Sequence, residues 1–370
     1  MKIDNVSQLL IILALWLDEK KGDVLSSIWL GDETLKSLKQ KFPHEEDVPK
    51  LLLEIKSLIT REPDCRRAHY LGELVSSLEF QCHLLKGGTC SISEFYEQTF
   101  KYPIQRVSNQ ELEFLEDEIK KTEKEFGFTR WDEPCTTIDQ FSKNIFLQKL
   151  EENCSNVQDS LPFKVENGSF SYEWVFQKPW RAFNRHNKPY HSHIMINADY
   201  PVTQFDLDHL VFHEGFGGHH TELNCKDLLL LNEGRGEHGL WINYSSQAFV
   251  SEGIAEFSYE MFGLKIRKNP IGKLHYLWYR LENALGNYAC FLHHEDGLRR
   301  EEIKQLLKKY SIKPGVIQSW LDFVTDAKYG KYAAVYHSAY NAVAKSFHRA
   351  KDKKQWLYTT YNQPTTPSLL

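Results

Sequence analysis

A mainly α-helical fold carrying one small β-sheet is what this sequence predicts, and three observations predict it. Apolar residues recur three and four apart from Val6 to about Gly127 and again from Phe205 to Lys354, the period of helices with one buried face. Between Ser160 and Tyr200 the period changes to alternation, which belongs to strands. The chain has 370 residues, 41% of them hydrophobic, enough to bury a large core in one domain or two associated ones.

Charge and cysteine usage narrow the function classes. Lys and Arg number 45 against 50 Asp and Glu, mixed along the chain to a net charge of -5, so no basic face for nucleic acid is expected. Cys65, Cys82, Cys90, Cys135, Cys154, Cys225 and Cys290 form no Cys-x-x-Cys pair, and an odd number cannot pair off completely, which predicts reduced thiols. The apolar run Leu9 to Leu17 is shorter than the roughly 20 residues that span a bilayer. Asp4 precedes it, Asp18-Glu19-Lys20-Lys21 follows it, and no small-residue cleavage site is present. It is expected to be the buried face of a first helix, in a cytoplasmic protein without a membrane or nucleic-acid partner.

The elements follow in order. Leu51, Leu52, Ile55, Leu58 and Ile59 mark one of several helices punctuated by Pro43, Pro63, Gly87-Gly88 and Pro103. Asn109 is a plausible N-cap for a long helix whose charged run, Glu111 to Lys124, makes a solvated face. Phe163-Lys164-Val165, an Asn167-Gly168 turn and Phe170 to Phe176 predict a hairpin. His193 to Asn197 predicts a further strand, a candidate edge strand that could pair with an extended substrate, with His191 and His193 close to it. Helices carrying Leu210, Val211 and Phe212, and then Ala248, Phe249, Ile254 and Phe257, come next, and Thr359 to Leu370 is expected to be an irregular terminus. The organisation expected is an N-terminal helical region, 1–159, and a second region, 160–370.

One stretch carries the chemistry: His213-Glu214-Gly215-Phe216-Gly217-Gly218-His219-His220, followed by Ser251-Glu252-Gly253-Ile254-Ala255-Glu256. Neutral imidazoles and ionised carboxylates are the ligands zinc takes at about 2.0–2.2 Å, three from the protein in a catalytic site with a fourth position for water. His213, one of His219 or His220, and Glu252 complete such a set. Glu214, beside the first ligand, is placed to take a proton from the bound water, whose pKa zinc lowers to about 7.

The spacing departs from His-Glu-x-x-His, because Gly217 stands where the second His belongs. In a regular helix only the seventh residue after His213 returns to its face, about 10.5 Å along the axis. Glycines at 215, 217 and 218 predict a loosened helix with a wide-turn bulge that brings His219 round. His220 remains the alternative ligand. There is no phosphate loop and no Gly-x-Ser-x-Gly elbow, and no cysteine has a catalytic partner.

These residues resemble a bacterial family of zincin-like proteins catalogued as a domain of unknown function, with the signature His-Glu-Gly-x-Pro-Gly-His-His and then Glu-Gly-Trp-Ala-x-Tyr-x-Glu. The resemblance runs from about Tyr190 to Arg349. Gly217 replaces the family's Pro, Ile254 and Phe257 replace its Trp and Tyr, and its C-terminal Pro-Gly-Gln is absent, where Lys328-Tyr329-Gly330-Lys331-Tyr332 stands. The resemblance implies a gluzincin-like helical fold, Glu252 as the third zinc ligand, and peptidase or amidase activity.

An oxyanion donor is also needed, and His293, His294, Tyr332 and Tyr336 are available. The resemblance favours His293 and Tyr336. Arg280 is a candidate for a substrate carboxylate. The function expected is zinc-dependent hydrolysis of a peptide or small amide, with Glu214, His293 and Tyr336 catalytic. The alternatives are other metalloenzyme chemistry, such as iron-dependent oxygen chemistry on the same His/His/Glu set, and a non-catalytic metal-stabilised binding protein.

Overall fold

The structure is a computed structural model and describes residues 3–132, 140–165, 168–200, 202–262 and 270–370. It is mainly helical, as the 3.6-residue period predicts.

Helix α1 (Asn5–Lys21) starts where Asp4 accepts from Ser7 N and ends at Gly22 in the left-handed region. Every side chain from Leu10 to Leu17 is buried, so the helix is enclosed rather than lying on one face. It packs with α2 (Asp32–Lys39), α3 (Val48–Ile59) and α4 (Cys65–Leu85). Arg67 of α4 gathers Asp4, Glu62 and Glu237 around its guanidinium, joining this region to the 3-10 turn at Gly236–Gly239. Helices α5 (Ile92–Phe100), α6 (Asn109–Phe126) and α7 (Gln140–Ser160) complete the N-terminal part. The N-cap of α6 is Ser108, whose hydroxyl accepts from Glu111 N, and not Asn109.

The sheet departs from the expected hairpin. Phe163–Val165 is not a strand, and Asn167 lies outside the described residues. Strand β2 (Ser169–Val175) instead pairs in parallel with β4 (His191–Asn197), while β3 (Ala182–Lys188) pairs antiparallel with β4. The strand order is β2-β4-β3, so β4 is central and β3 is an edge. Alternation marks a strand but not its partner, and a parallel partner across a crossover is invisible to local pattern. A second small sheet pairs β1 (Leu25–Ile28) with β5 (Leu240–Ile242).

The C-terminal part comprises α8 (Gln204–Glu214), α9 (His219–Lys226), α10 (Ser246–Phe262), α11 (Pro270–His294), α12 (Arg300–Leu307), α13 (Pro314–Val324), α14 (Val335–Arg349) and α15 (Lys353–Asn362). The C-terminus is therefore helical to Asn362, beyond the expected start of an irregular tail, and Tyr361 is fully buried. Helix α10 packs along α14 and crosses α8.

One large core runs from Ile3 to Tyr361 and takes side chains from both halves of the chain. A smaller core of Phe146, Leu150, Ile194, Ile196, Val202, Leu207 and Val211 fixes the back of α8 to α7 and β4. Truncating the fully buried Phe146 to Ala would cost about 3–5 kcal/mol and loosen that helix. Among the described residues no helix is long and apolar enough to cross a membrane, and none of the described cysteines is in a disulfide.

Candidate metal centre

The centre is built on α8, which starts with a capping box: Asp206 N donates to Thr203 Oγ1, while the Asp206 carboxylate accepts from Thr203 N. Arg181 holds the same carboxylate at 3.0 Å. His209 and His213, one turn apart, share a face of this helix.

The predicted bulged helix is two helices. Helix α8 stops at Glu214 and α9 begins at His219. Gly217 has φ +100°, which a side chain disfavours, and its N–H donates to Thr221 Oγ1 at 2.9 Å. Its carbonyl accepts from the Tyr361 hydroxyl at 2.5 Å. A Cβ on Gly218 would stand 1.9 Å from the His213 carbonyl oxygen, so the chain turns back on itself only with glycine there. This reversal, rather than a widened turn, carries His219 to His213.

His213 Nε2 and His219 Nε2 lie 3.4 and 3.6 Å from Glu252 Oε2. Ligands about 2.1 Å from a tetrahedral zinc stand about 3.4 Å from one another, so each imidazole nitrogen is already at that spacing from the carboxylate oxygen, and the three atoms lie within 4.8 Å of one another. Glu252 Oε2 is buried and has no hydrogen-bond partner among the described residues, as an atom reserved for a cation would be. The residues present therefore fit zinc. Burial opposes ionisation of Glu252, but the two imidazoles outweigh it and hold the carboxyl down at about 2.

Around these three side chains stands a supporting set of partners. Glu256, one turn beyond Glu252 on α10, puts Oε1 3.1 Å from His213 Nδ1. Its other oxygen accepts from Tyr279 and Asn283 at 2.5 and 2.7 Å. The Tyr332 hydroxyl donates to Glu252 Oε1 at 3.1 Å. Beside His219, Ser251 Oγ lies 3.4 Å from Nδ1 and donates to Glu222, which also takes Lys226. Carboxylate and hydroxyl partners of this kind fix imidazole orientation.

The chain is similar to a solved structure from Colwellia psychrerythraea described as a "putative lipoprotein". The two share 12% identity with a TM-score of 0.56, over 98% of this chain and 72% of that one. At that identity the likeness concerns the fold alone. No protein-family model and no curated protein matches the chain.

Glu214 is buried beside His213 with Oε2 unpartnered, and its carbonyl accepts from Asn184 Nδ2 of β3 at 2.7 Å. Burial raises its carboxyl above the usual range. Two lobes of one cleft meet at His213 and Glu214, and Tyr336 lines both.

Other expected site residues fall elsewhere. His220 points away from the centre: Nδ1 is 2.8 Å from Ser192 Oγ and Nε2 2.9 Å from Asn224 Nδ2, and its ring packs on Phe170. Neighbours on a helix stand about 100° apart, so His219 and His220 cannot both face the centre. His293 is held by the Leu298 carbonyl and packs on His294, outside both lobes. Arg280 stacks over the Tyr340 ring and bonds Tyr276 and Asn341, and it lines neither lobe. His191 and His193 bond serines of β2, and β4, expected as an edge strand, is the central one, while β3 is an edge whose Ala182 lines both lobes.

Glu256 and His209 were not singled out by the sequence motif. Both were marked by spacing, four residues from Glu252 and His213 on the same helical faces. Burial drives His209 down to about 3, leaving a neutral ring stacked on Tyr279.

Proposed function

We propose that the protein is a zinc-dependent hydrolase of peptide or small amide bonds, of gluzincin type, with His213, His219 and Glu252 as ligands. The observation that carries this is the 3.4 and 3.6 Å separation of two buried imidazoles from one unpartnered carboxylate oxygen. Zinc in such a site supplies a Lewis acid that polarises a carbonyl and acidifies water.

The chain's own groups divide the remaining work. Glu214 takes the proton of the attacking water and returns it to the leaving nitrogen, a role its buried, raised carboxyl suits. Glu256, with Oε1 3.1 Å from His213 Nδ1, keeps Nε2 turned toward the centre. Tyr332 is spent on Glu252, so of the two tyrosines expected as donors Tyr336, half-buried on both lobes, is the one left to meet the oxyanion.

The test is cleavage of a mixed peptide pool by zinc-loaded protein, read by mass spectrometry. Cleavage by wild type and loss of about 10²–10⁴-fold in Glu214→Gln, with zinc retained, support the reading. Equal turnover by Glu214→Gln would overturn it.

A further inference from the structure

The two lobes that meet at His213 differ in chemistry. One is bordered by Ser26, Asn184, Asn243, Tyr329 and Tyr332, a wall of amides and hydroxyls. The other is larger and carries Leu210, Trp320 and Pro179 in addition to Trp180 and Phe323, which it shares with the first.

This second lobe also holds charged side chains, and apart from Glu214, the proposed base at its inner end, they are engaged with protein partners. Arg181 lies 3.0 Å from Asp206 and 3.8 Å from Glu282, and Glu282 is also paired with Arg130. Glu256 is taken by His213, Tyr279 and Asn283. A charged substrate side chain entering here would lose its water and find no uncommitted counter-charge other than Glu214, which the hydrolase reading assigns to the attacking water, so its entry is unfavourable. What the lobe leaves available is aromatic and aliphatic surface. Trp320, Phe323 and Tyr336 pack on one another with ring centroids 6.1–6.3 Å apart, forming a continuous wall that reaches Glu214 and His213.

We propose that this lobe is the specificity pocket of the hydrolase, and that it takes a bulky apolar side chain, aromatic or branched aliphatic, from the substrate residue adjoining the bond to be cut. The inference rests on the hydrolase reading for the word "cut" but not for the occupant, since the pocket's chemistry stands whether or not turnover follows. A pocket that removes apolar surface from water discriminates by size and polarity, and a poorly matched side chain is commonly disfavoured ten-fold or more.

The experiment measures binding and cleavage separately on the full-length, zinc-loaded protein. Saturation-transfer NMR with N-acetyl amides of Phe, Leu, Gly, Lys and Asp reads binding without turnover, and peptides differing only at the residue next to the cut site read cleavage. The expected result is Phe and Leu amides binding at least about ten-fold more tightly than Lys and Asp amides. That preference should be lost in Trp320→Ala and kept in Trp320→Phe, with unchanged zinc content in both. Selective binding without cleavage supports the pocket and overturns the hydrolase reading. Cleavage without side-chain preference, or equal binding of all five amides, overturns the pocket. Should Trp320→Ala fail to fold, Leu210→Asn at the same wall tests the same preference.

Discussion

His213 Nδ1 lies 3.1 Å from Glu256 Oε1, and the other face of the same ring looks onto Glu252 at 3.4 Å. One imidazole is thus clamped between two carboxylates a helical turn apart on α10. The outer one orients the ring and the inner one shares the proposed metal. This gives Glu256 a role that differs from ligation. Glu256→Gln is expected to keep the fold and the one-to-one zinc stoichiometry while weakening zinc affinity about 10–100-fold, measured by competition with a chelator. A loss of all zinc would instead make Glu256 a ligand.

The reversal between α8 and α9 sets a second expectation. Gly217 occupies φ +100°, while a proline is locked near -65° and has no N–H to give Thr221. Gly217→Pro should therefore abolish zinc binding, even though the resembled family carries proline at that position. Gly217→Ala should destabilise by about 1–2 kcal/mol through its backbone angle, with further loss from a Cβ 2.8 Å from Phe262. Chemical denaturation and zinc titration together check both.

The adjacent histidines separate cleanly. His219→Ala should lose zinc and also cost apo stability, because the buried Glu252 and Ser251 lose a partner. His220→Ala should keep zinc and lose about 1–3 kcal/mol, because Ser192 and Asn224 are left buried without their partner. The reverse pattern would exchange their roles.

Acid should unfasten α8. Burial works against ionisation of Asp206, but Arg181 and Thr203 overcome it and hold its carboxyl below the usual value. A lowered folded-state pKa contributes stability above the unfolded value and loses it as pH falls through the folded one. Asp206→Asn should cost about 0.5–2 kcal/mol at neutral pH. That difference should shrink steadily below about pH 4, followed by urea unfolding at a series of pH values.

Much of the centre was legible because its parts are local in sequence. His213, Glu214 and Glu252 stand in motifs whose meaning depends on residue type and spacing alone. The mainly helical fold followed from a periodicity that no other element produces. The route to His219 was not legible, since three glycines announce a break but do not say whether it widens one turn or reverses the chain. The parallel pairing of β2 with β4 depends on a crossover, and alternation carries no trace of it. His293, which the resemblance favours, and Arg280, a candidate for a substrate carboxylate, both stand on α11, yet which way a side chain faces depends on the packing of that helix against its neighbours. Glu256 and His209 show the opposite case: their spacing was present, but it becomes informative only when their helices are known to cross.

The most direct test is metal analysis of the purified protein after reconstitution with zinc, beside His213→Ala and Glu252→Ala. The account predicts about one zinc per chain in wild type and little or none in either variant, each still folded by circular dichroism. Wild-type protein that retains no zinc, or zinc content unchanged in both variants, would contradict it.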